Sequence, residues 1–372
     1  MTAPHAVPRP RPHPVGARRR AALRALLAEA GLDALLVTDL VNVRYLTGFT
    51  GSNAAVLLDA RGEEGTVLAT DGRYTTQAGA EAPELRLLVE RRCAPELLAI
   101  TTAGRVGFDS AQVTVDAHDA LAQAAGAVEL VRAPGLVERL RAVKDAAEID
   151  ALRLACAAAD AALAGAVADG VLAPGRSERE VARELEERMV AAGATGPSFE
   201  TIVAAGANSA IPHHRPSDAP LAAGDLVTMD FGALVDGYHS DMTRTVLLGP
   251  PSPWQEEIYA LVDAAAAAGR AALRPGVATS EIDAAARAVI TEAGYGEHFV
   301  HPVGHGVGLV IHEAPAMSAT ATATLDAGMT VTVEPGVYLP GRGGVRIEDT
   351  LVVTESGADP LTASTRDLVV LG

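Results

Sequence analysis

The stretch GDLVTMDFGALVDGYHSDMTRTV, residues 224–246, decides how this chain is read. Two β-like runs flank Asp236-Gly237, and Asp-Gly is a strong signal for a two-residue hairpin turn. With that pair as the turn, position 230 faces position 243. Asp241 is then the diagonal neighbour of Asp230 on one face, within reach of a shared ion. A second stretch, MTVTVEPGVYLPGRGGVRIEDTLVV (329–353), repeats the device: centred on Gly341, it sets Glu334 directly opposite Glu348. Facing buried carboxylates repel, and one pKa rises, unless a cation sits between them. The plainer readings, a polar loop at Asp241 and exposed edge strands around the glutamates, do not explain why an apolar run such as VTVE should end in an acid.

The histidines concentrate in the same region. Seven of the ten lie between 213 and 312, and three occur in HPVGHGVGLVIHE (301–313) as His301, His305 and His312. Glycines 304, 306 and 308 let the backbone approach a site closely, and their alternation with Val and Leu reads as strand. His213, in NSAIPHHRP, follows a turn-like segment and can reach the same cleft, while His214 and His239 read as surface or supporting groups. Asp230, Asp241, His305, Glu334 and Glu348 together supply four carboxylates and one imidazole. Hard oxygen ligands with one imidazole suit Mn, Co, Fe or Zn rather than a thiolate site. Four carboxylates balance two dications and leave a bridging hydroxide as nucleophile. Two metals about 3.5–4 Å apart are a hydrolytic device.

Composition narrows the class. At 372 residues, two domains are the natural expectation. The net charge of −17 argues against nucleic acid or an anionic membrane as partner, since both call for clustered Lys and Arg. Cys93 and Cys156 lie far apart in no metal-like spacing, which points to a reducing cytoplasm. Lys144 is the only lysine, so lysine-dependent phosphate binding and Schiff-base chemistry have one candidate at most. No apolar run reaches the ~18–20 residues that span a bilayer.

Residues 1–16, rich in Pro and Arg, read as a disordered leader. Arg18-Arg19-Arg20 imitates a secretion signal, but Arg24, Glu29 and Asp33 interrupt the apolar stretch behind it. Leu23, Leu26, Leu27 and Ala30 instead recur at helical spacing. From there β-like runs (34–38, AAVLLD, TVLATDGRY, 86–89, 105–108) and a helix near 117–125 suggest an α/β domain over 17–139. A long Ala/Leu/Glu-rich helix is expected over 137–168. The second domain, 140–372, adds helices over 178–192, 254–273 and 280–293 to its strand pairs, and so reads as α+β.

GANSAIPHHRPSD, GDLVTMDFGALVDGYHSDMTRTV, PVGHGVGLVIHEAP, LDAGMTVTVEPGVY and GGVRIEDT resemble the pita-bread metallopeptidases. The branch is that of Xaa-Pro aminopeptidase (aminopeptidase P) and Xaa-Pro dipeptidase (prolidase). VRYLTGFTGSNA and TDGRYTTQA resemble that branch's creatinase-like N-terminal domain. The resemblance implies a creatinase-like first domain and a pita-bread second one. It implies Asp230, Asp241 (bridging), His305, Glu334 and Glu348 (bridging) as metal ligands, and His213 and His312 as contacts to substrate and tetrahedral intermediate. His301 would be a supporting histidine, and Arg346 a brace for the metal-site carboxylates. Glu334 would shuttle the proton to the leaving nitrogen. Manganese is the first expectation for the metal, with Co, Zn or Fe as alternatives, and a homodimer is expected. One departure matters: many prolidases carry Arg in HExPR to hold a dipeptide's carboxylate, and here Ala316 occupies that place. The expectation is therefore a cytoplasmic Xaa-Pro aminopeptidase acting on peptides with proline second, with prolidase as the nearest rival. A non-catalytic peptide-binding module and a two-metal phosphoesterase are more remote; the second lacks a phosphate-cradling Gly-Lys motif.

Overall fold

The computed structural model describes residues 14–372. Most of the expected leader therefore lies outside the described residues, and its last three positions, 14–16, instead open the first helix. The chain divides into two compact units between Arg141 and Ala142, two residues beyond the expected boundary.

The first unit is an α/β layer structure: α1 (Pro14–Glu29), β1 (Ala34–Val37), α2 (Leu40–Thr47), β2 (Ala54–Asp59), β3 (Val67–Thr70), α3 (Thr75–Glu81), β4 (Arg86–Val89), α4 (Cys93–Ile100), β5 (Arg105–Phe108), α5 (Val115–Ala124), β6 (Glu129–Arg132) and α6 (Leu136–Ala142). The six strands form one sheet in the order β4-β3-β2-β1-β5-β6. The central strands β1, β2 and β3 are buried along their whole length, as their unbroken apolar runs require. Helix α2 fills the stretch between two of the β-like runs. Asp39 caps it by accepting from the Asn42 amide, and Gly48 ends it in the left-handed conformation at φ 79°. Arg20, read as part of a signal-like cluster, is fully buried: it donates to the Leu46 carbonyl and pairs with Glu63 and Glu84.

The second unit begins with α7 (Ala146–Ala168) and α8 (Glu178–Ala191), followed by β7 (Gly196–Pro197), β8 (Ile202–Ala205), β9 (Leu226–Phe231), β10 (Ala233–Val235), β11 (Tyr238–His239) and β12 (Met242–Leu248). Helices α9 (Pro253–Ala272) and α10 (Thr279–Glu292) come next. Then follow β13 (Gly304–Gly306), β14 (Glu313–Met317), β15 (Thr330–Val333), β16 (Gly336–Leu339), β17 (Gly343–Arg346), β18 (Asp349–Thr354), β19 (Gly357–Pro360) and β20 (Val369–Leu371). The expected single helix over 137–168 is broken. Val143 bridges Met329, Lys144 donates its amide to Gly328, and Asp145 restarts the helix through a capping box with Glu148.

Contrary to the sequence expectation, α7 is long and apolar enough by composition to cross a bilayer, but half of that window is buried within the protein. It packs its alanines with α8 and β9 in one of the unit's two cores. A four-stranded sheet, β20-β12-β9-β8, and a five-stranded sheet, β14-β13-β15-β18-β19, carry the rest, with α9 and α10 on the second core. Most pairings are antiparallel, so the unit is α+β.

Candidate active site

The two hairpins form with the register that their turns dictate. Asp236 and Gly237 both have positive φ (47° and 73°), the signature of a two-residue turn that matches strand twist. On the strands it joins, Asp230 pairs with Thr243. Between them the chain leaves the main sheet: β10 and β11 form a small separate ladder with β7. Gly232 makes the switch, because a Cβ there would collide with the Ser240 carbonyl. In the second hairpin Val333 pairs with Asp349 and Gly336 with Arg346. Glu334 and Glu348 therefore sit in matching positions at the junction of two ladders, where the Glu334 amide donates to the Val303 carbonyl and the Glu348 amide to the Thr243 carbonyl.

One cleft of about 540 Å³ gathers these side chains. Asp230, Asp241, His305, Glu334, Glu348, His213, His301, His312 and Arg346 all line it. His305 lies on β13, a shorter strand than the Gly-Val alternation suggests, since the pairing slips between His305 and Gly306. Side-chain atoms of Asp241, His305 and Glu348 come within 4.8 Å of one another. His305 Nε2 is 3.5 Å from an oxygen of Asp241 and 3.5 Å from one of Glu334. The opposite ring nitrogen, Nδ1, donates to the Gly306 carbonyl at 3.0 Å, which leaves Nε2 as the lone-pair atom facing the carboxylates.

Two carboxylates are each held by one oxygen only. Arg346 Nη2 donates to Asp230 Oδ2 at 2.7 Å, and Thr243 Oγ1 donates to Glu348 Oε2 at 2.7 Å. Asp230 Oδ1 and Glu348 Oε1 are buried with no hydrogen-bond partner. Burial raises Asp241 well above the usual carboxylate range, and the charges of Glu348, Asp230 and Glu334 add to it. Burial likewise raises Glu348, and pushes Glu334 up to about 8 against the opposing pull of Arg346. Burial also lowers His305 to about 4, so the imidazole stays neutral. Orphaned oxygens, crowded acids and a neutral imidazole are the donor set that divalent cations satisfy, so the residues fit a metal centre.

A hydrogen-bond chain braces one wall. Arg346 donates to Tyr338 Oη at 2.8 Å, and Tyr338 meets His301 Nε2 at 2.8 Å, while His301 Nδ1 donates to the Pro302 carbonyl. Burial lowers His301 to about 4, with the Arg346 charge adding to it. The His312 ring packs edge-on against His305 with centroids 4.4 Å apart. His213 is exposed and lines the cleft.

Several contributors escape a reading of the sequence. Thr243, Thr332 and Tyr338 are neutral residues that hold Glu348, Glu334 and Arg346. Glu178, on α8, is fully buried and accepts from the Ala205 amide, Asn208, Ser217 and His214. It thereby ties down the segment that carries His213. Of the two histidines read as surface or supporting groups, His214 is a supporting one that belongs to this clamp, and His239 is held by Ser198 outside the cleft lining.

Comparison with known proteins places this geometry. Residues 150–355 match the model of metallopeptidase family M24, and residues 19–143 match the creatinase/prolidase N-terminal domain. An uncharacterized peptidase of Bacillus subtilis, YqhT, is 41% identical over 94% of this chain and 99% of its own. The solved structure of an Xaa-Pro dipeptidase from Bacillus anthracis superposes with a TM-score of 0.91 at 39% identity, covering 96% of this chain and 100% of that one. An X-Pro aminopeptidase from Thermotoga maritima superposes at 0.86 with 33% identity, over 95% and 99% of the two chains. This chain belongs to metallopeptidase family M24 and pairs its catalytic domain with a creatinase-type N-terminal domain.

Proposed function

We propose that this metallopeptidase hydrolyses the bond preceding proline, with Xaa-Pro dipeptides as its principal substrates. The observation that carries the hydrolytic reading is the pair of orphaned oxygens, Asp230 Oδ1 and Glu348 Oε1, among converging acids and a neutral His305. Asp230, Asp241, His305, Glu334 and Glu348 would hold two divalent ions, and manganese suits four carboxylates and one imidazole. Ions bound there supply Lewis-acid polarisation of the scissile carbonyl and an activated water. Glu334 takes the proton of the attacking water on a carboxylate oxygen and returns it to the leaving proline nitrogen. His312 and His213 donate hydrogen bonds to the carbonyl oxygen as its charge develops. The Arg346–Tyr338–His301 chain keeps Asp230 and the cleft wall in place.

Dipeptides come first because the dipeptidase from Bacillus anthracis is more similar than the aminopeptidase from Thermotoga maritima. The aminopeptidase reading has its own support: Ala316, paired with His305 on the cleft wall, offers no cation for a dipeptide's carboxylate. A homodimer in a reducing cytoplasm completes the proposal, the latter supported by two buried free cysteines. The deciding measurement is kcat/KM on metal-reconstituted protein for Xaa-Pro against Xaa-Pro-Yaa. Faster dipeptides support the first reading, faster tripeptides the second, and cleavage of neither ends both.

A further inference from the structure

We propose that Arg215 is the cation that holds the substrate's terminal carboxylate, taking over the task that Ala316 cannot perform. The proposal rests on the dipeptidase reading and names the residue that makes it possible.

A dipeptide brings a carboxylate next to the scissile bond, into a cleft already lined by Asp230, Asp241, Glu334, Glu348 and Glu200. Two divalent ions would neutralise the first four, and Glu200 still repels the newcomer. A permanently charged guanidinium or ammonium is the strongest partner for such a carboxylate, stronger than the imidazoles of His213, His214, His301 and His312 that also line the cleft. Among the described residues, the cleft lining holds two arginines, Arg215 and Arg346, and no lysine. Arg346 is committed: it is buried and donates to Thr243, Tyr338, the Pro212 carbonyl and Asp230. The single lysine, Lys144, is buried in an ion pair with Glu313 at 2.7 Å. Elimination leaves Arg215.

Its setting suits the task. Arg215 faces Glu200 at 3.6 Å, with side chains 84% and 69% exposed. That pair is longer than a charge-assisted hydrogen bond and screened by water, so it is worth little and is easily exchanged for a better partner. The backbone beneath the side chain is firm. His214 and Ser217, on either side, both grip the buried carboxylate of Glu178, at 2.7 Å through His214 Nε2 and 2.7 Å through Ser217 Oγ. Pro216 stiffens the step between them. An exposed guanidinium on a fixed mount, two residues from His213, can offer a carboxylate in the cleft two parallel N–H donors. Ala316, on β14, lines the same cleft and brings no charge of its own.

The test compares Ala-Pro, Ala-Pro-amide and Ala-Pro-Ala on the full-length, metal-reconstituted protein and on Arg215→Gln, Arg215→Lys and Glu200→Gln. The amide keeps the scissile bond and removes the charge. A charge-assisted contact corresponds to about a 10–100-fold effect. Arg215→Gln is therefore expected to raise KM for Ala-Pro by that factor, with kcat within a few-fold, and to lower the Ala-Pro to Ala-Pro-amide ratio of kcat/KM equally. Arg215→Lys should recover part of the ratio, and Glu200→Gln should lower KM for Ala-Pro. Equal losses on dipeptide and amide, or no loss on either, would overturn the assignment while leaving the dipeptidase reading intact. A wild-type enzyme that prefers the amide or the tripeptide, or that cleaves none of the three, overturns the dipeptidase reading and Arg215 with it.

Discussion

Arg346 grips Asp230 by one oxygen, Nη2 to Oδ2 at 2.7 Å, and leaves the other oxygen of that carboxylate buried and unpartnered. The arginine thus aims a proposed ligand without competing for its free lone pairs. Arg346→Gln should weaken metal binding about 10–100-fold, the usual effect of losing a group that orients a ligand. Metal titration followed by calorimetry reads this directly. Unchanged affinity would show that Asp230 is placed by its strand alone.

Asp241 lies at the centre of the like charges: Glu348, Asp230 and Glu334 all raise it. Chelation should abolish turnover, and manganese or cobalt should restore it with two ions bound per chain. Asp241→Asn should lose metal as well as rate, because an amide cannot serve two cations as a carboxylate can. Elemental analysis settles the point, and full activity in metal-free protein would sink the mechanism.

His312 is placed differently from the proposed ligands. Its ring touches His305 edge-on, and it stands exposed at the cleft rather than among the buried acids. His312→Ala should cut kcat by about 10²–10³-fold, the usual cost of one oxyanion donor, with metal content near normal. A metal-depleted variant would instead make His312 a ligand.

The contrast between what can and cannot be read from the chain follows from range. Asp236-Gly237 and Gly341 each specify a turn locally, and a turn propagates its register along both strands, which is why Asp230 falls opposite Thr243 and Val333 opposite Asp349. Capping signals are equally local, and the Asp145–Glu148 box does mark the break in the long helix, although the Ala/Leu periodicity around it reads straight through. Tyr338 and Thr243 carry no charge and no special spacing, and their roles exist only once distant strands meet. Glu178 is the extreme case. On its own helix it reads as a first-turn acid favouring the helix N-terminus, and nothing near it announces partners 27 to 39 residues away.

That clamp has a pH signature. Burial works to raise the Glu178 carboxyl, but hydrogen bonds from Ala205, Asn208, His214 and Ser217 outweigh it and hold the pKa below the ordinary value. A carboxylate with a depressed folded-state pKa contributes stability that is fully present above its unfolded value, about 4.3, and is lost as pH falls through the folded value. Chemical denaturation of the metal-free protein between about pH 6 and 3 should therefore show an acid limb that Glu178→Gln flattens. The same variant should be less stable at neutral pH by about 1–3 kcal/mol, because several buried donors lose a charged acceptor. It should also lower kcat through the loosened His213 segment. A variant whose acid limb matches the wild type would show that the clamp acts through shape rather than charge, and the loss of kcat would then have to come from elsewhere in the cleft.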